Sequence, residues 1–145
     1  MASIFDSVEF NRNLFFPRAD SSACPETAED VFVKVDQECK VHVRRHPSGK
    51  AKFSLLFFHG NGEIVSDYDE LAKYFNALGC ELIVCDFRGY GKSTGIPSLR
   101  NALKDASALY RYLKKNGKLQ SQVCVMGRSL GSAPAIELCV QFPEI

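Results

Sequence analysis

Three short runs restrict what this chain can fold into: Phe53 to Phe58 (FSLLFF), Glu81 to Phe87 (ELIVCDF) and Val123 to Gly127 (VCVMG). Each is apolar at consecutive rather than alternate positions, as expected of a strand covered on both faces in the parallel part of a sheet. Parallel neighbours need crossovers, and the segments between these runs carry helical spacing. Leu71, Tyr74, Phe75 and Leu78 follow a capping signal, Ser66 with Asp69 three residues on, and stop at Gly79. Leu99, Ala102, Leu103, Ala106, Leu109, Tyr110 and Leu113 lie on one helical face that begins after Ser98 and closes at Lys114, Lys115 and Gly117. A last helix holds Ile136 and Leu138 to Val140.

Ahead of these, Val31 to Val35 and Cys39 to Arg45 alternate with period two around Asp36-Gln37-Glu38, which predicts a β-hairpin. Hairpin, strand, helix, strand, helix, strand, helix is an α/β plan: a mostly parallel sheet with an N-terminal antiparallel hairpin and helices on both faces. Right-handed crossovers set the helices over 67–78 and 99–115 on opposite faces and strand 53–58 between strands 81–87 and 123–127. Residues 1–29 show no sustained periodicity and read as an arm or loop, which leaves 30–145 as the folded portion.

Charge excludes some functions. Lys plus Arg (18) nearly balance Asp plus Glu (17), and no basic stripe marks a nucleic-acid partner. A small-molecule or lipid-like acyl substrate suits such a surface better than a polyanion. The longest apolar runs are far too short to span a bilayer, and Asp6 and Glu9 interrupt any secretory signal. The six cysteines form no C-x-x-C pair and no metal spacing with the three histidines, so we expect a reducing, cytoplasmic location without metal or cofactor.

The stretch Asp86 to Gly95 (DFRGYGKSTG) contains Gly91-Lys92-Ser93, the tail of a phosphate loop. A Walker loop requires a glycine where Asp86 stands, and it must run straight into a helix whose amides hold phosphate. Gly95 and Pro97 interrupt that helix, so the stretch is expected to be a structural turn in which Asp86 accepts backbone amides and Arg88 pairs locally.

Gly127-Arg128-Ser129-Leu130-Gly131 fits G-x-S-x-G. The pattern alone arises by chance in about one chain in twenty of this length, so its context matters: a buried strand precedes it and a helix follows. There Ser129 would sit on a sharp strand-to-helix turn with its hydroxyl raised above the sheet, flanked by Gly127 and Gly131, which let the backbone crowd together. The Leu130 amide would face a developing oxyanion. A second donor should come from the loop after strand 53–58, where Gly60 and Gly62 free the amide of Asn61. His59 is expected to turn inward and fix that loop, because a triad histidine in this order follows the serine.

HGNGE, DFRGYGKSTG and GRSLGS, in this order and at these intervals, resemble the α/β-hydrolase superfamily, particularly its Bem46-like and depalmitoylase-like serine hydrolases. The resemblance covers about residues 30 to 143. It implies Ser129 as nucleophile, with Asn61 and Leu130 as oxyanion donors. The superfamily's triad continues with an acid and then a histidine, but after Ser129 this chain has only Glu137 and Glu144 and no histidine. The expectation is therefore the N-terminal half of a serine hydrolase, inactive in this form, whose sheet edge is open to self-association. The alternative is a non-catalytic binding or interaction module of the same fold.

Overall fold

The computed structural model describes residues 3–145. A mixed five-stranded sheet contains β1 (Glu29–Lys34), β2 (Lys40–His46), β3 (Phe53–Phe58), β4 (Cys80–Cys85) and β5 (Gln122–Gly127), in the order β1-β2-β4-β3-β5. The hairpin is antiparallel, with Val31 opposite Val43, and β2 runs antiparallel to β4. β3 pairs in parallel with both β4 and β5, which places it between them as the crossover argument required. The register sets Phe58 beside Cys85 and beside Gly127, so the carboxyl ends of the three parallel strands share one rim of the sheet.

Among the described residues the α-helices are α1 (Val8–Leu14), α2 (Ala72–Ala77), α3 (Leu99–Lys115) and α4 (Ser132–Gln141). Alternation along the strands sorts the core into two layers. Val41, Val43, Leu56, Phe58, Ile83 and Cys85 cluster with Ala106, Leu109 and Leu113 of α3 and with Ala135 and Leu138 of α4. Phe57, Leu82 and Val84 cluster with Val65, Tyr68 and Ala72 on the other face. The 99–115 helix occupies its expected residues, because the Ser98 hydroxyl accepts the Asn101 amide at 3.2 Å and Gly117 takes a left-handed φ of 62°.

Two expectations change. The segment from Ser66 does not start one continuous helix: a 3-10 turn spans Val65–Tyr68, and α2 begins only at Ala72. Asp67 rather than Ser66 supplies the cap, accepting the Ile64 amide at 3.0 Å, because Asp69 is drawn away to Arg44 at 2.8 Å. Within residues 1–29, α1 forms on the Ser7 cap, and its buried Asn11 accepts the Leu99 amide at 2.8 Å. A seven-residue helix leaning on a neighbour through one polar side chain leaves little apolar periodicity to read.

The hairpin's second strand carries a buried polar face. His42, Arg44 and His46 alternate with Val41 and Val43, and the fully buried Arg44 forks onto Asp30 and reaches Asp69. Burial, reinforced by the Arg44 charge, pushes the His46 imidazole down to about 4. Asp69 lies 3.5 Å from that ring, although Arg44 already engages its carboxylate.

A histidine depressed below its ordinary 6.5 disfavours protonation in the folded state while the unfolded chain protonates freely. Its contribution to stability is complete above about pH 6.5 and is lost as the pH falls towards about 4. That displacement is worth about 3 kcal/mol, so resistance to urea should fall as the pH drops through this window, and His46→Gln should flatten the slope. An unchanged slope in the variant would refute the buried, neutral His46.

Candidate active site

β5 delivers the chain to a turn that most residues would not adopt. Ser129 has φ 51°, the one left-handed non-glycine residue among those described, and it opens a 3-10 turn (Ser129–Gly131) leading into α4. Such a conformation costs roughly 1–2 kcal/mol in isolation, so surrounding contacts must impose it. The Arg128 amide donates to the Phe58 carbonyl at 3.0 Å, locking the elbow to the end of β3, and the Gly131 amide donates to the Arg128 carbonyl at 2.9 Å. A Cβ at Gly131 would stand 2.0 Å from the Phe58 carbonyl oxygen, and one at Gly127 would stand 2.3 Å from that of Gly131. Both glycines are therefore demanded by backbone crossing backbone.

Ser129 is exposed, and the Ser132 hydroxyl donates to its carbonyl oxygen, fixing the first step of α4. Leu130 is half-buried against a cluster formed by Phe15, Ile64, Phe87 and Tyr90 together with Leu14 and Leu99.

Across the rim, His59-Gly60-Asn61-Gly62-Glu63 follows β3. His59 is fully buried and turned inward, its Nδ1 2.8 Å from the Gly60 carbonyl oxygen and its Nε2 3.1 Å from Asp86 Oδ1. The Gly60 amide donates to Glu63 Oε2 at 2.6 Å, whereas Gly62, at φ 76°, turns the chain immediately after Asn61. Glu63 also accepts the Tyr68 hydroxyl at 2.8 Å and pairs with Arg128, so one carboxylate joins the loop after β3 to the elbow after β5. The positions of Glu63 and Arg128 inside the two motifs were visible in the sequence, but their pairing was not.

Asp86 sits behind this rim. Its two oxygens meet His42 Nδ1 at 3.0 Å, His59 Nε2 at 3.1 Å and the Val65 amide at 3.1 Å. Burial works to raise this carboxyl, but the hydrogen bonds from His42 and His59 outweigh it and hold Asp86 below the usual carboxylate range. Arg88 forks onto Asp105 with both contacts at 2.7 Å, and Lys92 reaches Asp30 at 3.0 Å, so the residues resembling a phosphate loop are engaged in tying the fold together. Among the described residues no group of three His, Cys, Asp or Glu side chains converges as a metal would need.

Residues 49–145 match the sequence family described as Serine aminopeptidase, S33. The chain is 32% identical over 100 residues to alpha/beta hydrolase domain-containing protein 17B of Xenopus tropicalis, a match covering 66% of this chain and 34% of that protein. It is 30% identical over 139 residues to an uncharacterized protein of Mycobacterium tuberculosis, covering 91% of this chain and 50% of that one. Among solved structures, a CIB-like hydrolase from Thermoplasma acidophilum aligns with TM-score 0.63 at 25% identity, over 81% of this chain and 58% of that one. An esterase from Pyrococcus furiosus aligns with TM-score 0.74 at 22% identity, over 90% and 55%, a likeness of fold. The chain thus spans about a third to a half of the length of these curated relatives.

Gly131→Ala tests the elbow directly. With the clash falling on backbone, the substitution should cost about 3 kcal/mol or more in chemical denaturation. Gly49→Ala, where a Cβ meets nothing within 4 Å, serves as the neutral control. A loss at Gly131 no larger than the control's would mean that the two chain segments do not cross as described.

Proposed function

Because this chain belongs to the Serine aminopeptidase, S33 family of the α/β-hydrolase superfamily, we propose that it is a serine hydrolase acting on an ester, thioester or amide through an acyl-enzyme on Ser129. The observation that carries the reading is the left-handed Ser129 held between Gly127 and Gly131, neither of which has room for a side chain. A serine that merely capped α4 would need neither glycine nor strain. In the proposed reaction Ser129 Oγ attacks the acyl carbon and loses its proton to a base. The Asn61 and Leu130 amides hold the oxyanion, and the leaving alcohol, thiol or amine departs with that proton. Water then attacks the acyl-serine and releases the acid, restoring the hydroxyl.

The base is the missing piece within these residues. His59 has both ring nitrogens occupied, and His42 and His46 on the hairpin are buried against the carboxylates of Asp30 and Asp69. In this form, then, the chain should be a poor catalyst. The same observation favours a second reading, a non-catalytic module of this fold that binds an acyl compound or a partner. The six free thiols suit a reducing, cytoplasmic setting, and no helix among the described residues is long and apolar enough to cross a membrane. We also propose self-association through β5, an edge strand with no charged residue and no proline between Gln122 and Gly127 and with Met126 46% exposed.

The 145-residue chain should hydrolyse activated acyl esters at most ~10³ over water, the level an oxyanion hole and binding leave without a base. A fluorophosphonate probe should label it slowly if at all, and Ser129→Ala should remove whatever labelling occurs. Brisk labelling would instead identify His42, His46 or His59 as a base, and labelling that survives Ser129→Ala would end the assignment. For the edge, sedimentation should find dimers or larger species that Met126→Lys disperses; a monomer at all concentrations would remove that part of the proposal.

A further inference from the structure

Both the oxygen and the nitrogen of the Asn61 side chain are bonded, and the partners come from two distant parts of the chain. Its Oδ1 accepts the Tyr90 hydroxyl at 2.5 Å and the Phe16 amide at 3.0 Å, while its Nδ2 donates to the Leu14 carbonyl at 2.6 Å. Tyr90 is completely buried, and its hydroxyl oxygen also accepts the Phe16 amide, at 2.8 Å. The segment supplying Leu14 and Phe16 is itself fastened on both sides. Phe15 is buried edge-on against Phe87 and Tyr90, and beyond it Gly91 bonds both ways, donating to the Arg18 carbonyl at 2.8 Å and accepting the Asp20 amide at 3.1 Å. The N-terminal segment is thus laced to the 86–91 turn, and Asn61 is caught between them.

An asparagine whose side chain meets three fixed partners has little freedom left in χ1, χ2 or the backbone that carries them. Gly60 and Gly62 on either side would otherwise leave this stretch among the most mobile in the chain, because glycine removes the steric limits on φ and ψ. An oxyanion donor is effective only when it is held in place before the charge develops.

We propose that Tyr90 is a positioning residue: through the Asn61 side chain, and together with the 14–16 backbone, it clamps the Asn61 amide in the orientation needed to receive an oxyanion. The inference rests on the proposed oxyanion role of that amide, but the clamp has a physical signature of its own. Tyr90 is fully buried and so offers no surface to a substrate. Its hydroxyl transmits the position of the N-terminal segment to the loop after β3, so a segment that carries none of the proposed chemistry becomes part of the site's rigidity. Of the side-chain hydrogen bonds of the 86–95 turn, Tyr90's is the one that reaches Asn61, whereas Asp86 bonds His42 and Arg88 bonds Asp105.

The test uses the 145-residue chain in native form, Tyr90→Phe, and Phe16→Pro, which deletes the second donor at an exposed position. Backbone ¹⁵N relaxation is measured at Gly60, Asn61 and Gly62, alongside the residual Ser129-dependent hydrolysis of an activated acetyl ester. Tyr110→Phe, which removes a hydroxyl bonded to Glu144 on another part of the fold, is the control. We expect the order parameters of residues 60–62 to fall from about 0.85 to below about 0.6 in Tyr90→Phe and Phe16→Pro, with β3 and β4 unchanged. The residual rate constant should drop about tenfold at constant KM, the loss expected for one hydrogen bond's worth of positioning. Because both variants break one clamp, combining them should cost little more than either alone. Order parameters at 60–62 that match native in both variants would overturn the proposal, as would equal loosening in Tyr110→Phe. Loosening without a change in residual hydrolysis would uphold the clamp and instead count against the oxyanion role of Asn61.

Discussion

A single buried carboxylate organises the rim on which everything else stands. Asp86 leaves the end of β4 and is met by a histidine from β2, a histidine from the end of β3 and an amide from the 3-10 turn beyond it. Alone in this setting the charge would be costly, since burial disfavours the ionised form. With three donors converging it becomes the point at which four segments agree on their positions. The turn it introduces is wrapped around it so closely that a Cβ at Gly91 would lie 2.0 Å from its Oδ2, and Gly91 adopts φ 56°. This explains Gly91 without a phosphate, since it makes room for the turn's own first residue, while Gly89 and Gly95 are required by their left-handed φ of 74° and 84°. It also explains why His59, placed temptingly beside the elbow, faces away from it.

From that hub the two halves of the site are set by sheet register. Because Phe58, Cys85 and Gly127 end level, the loops after β3 and β5 emerge side by side, and Glu63 with Arg128 bridges them. The hairpin contributes differently. Its buried face is ionic, with Arg44 forked onto Asp30 and bonded to Asp69, an arrangement that need not add net stability but penalises any register leaving one partner alone.

Legibility followed the range of the forces involved. The strands of the parallel core and the 99–115 helix could be read because their signals are local: continuous apolar runs, a serine cap, a glycine stop. The order β4-β3-β5 is the order of the family that the motifs resemble, and it agrees with right-handed crossovers that set helices on opposite faces of strands this apolar. Ser66 misled because its capping pattern is equally local, while the competition that decided it, Arg44 taking Asp69, spans 25 residues. α1 was missed for a related reason, since its reason to exist is Asn11 reaching Leu99 across 88 residues. At the elbow the sequence announced the residue types, but not that Asn61 would be held by residues 45 positions earlier and 29 later.

The backbone crossing at the elbow has a kinetic side. The Phe58 carbonyl both receives the Arg128 amide and closes the space beside Gly131, contacts that exist only when β3 and β5 are already zipped together. Nothing in Gly127 to Gly131 by itself favours a left-handed serine, so in the unfolded chain that residue returns to its ordinary conformations. Contacts between segments some seventy residues apart form late, after the loop-closure entropy between them has been met. The left-handed φ of Ser129 therefore works as an indicator of assembly. A partly folded chain, even one with its hairpin and first crossover in place, lacks this turn, and Ser129 takes its place on the rim only once β3 and β5 are paired.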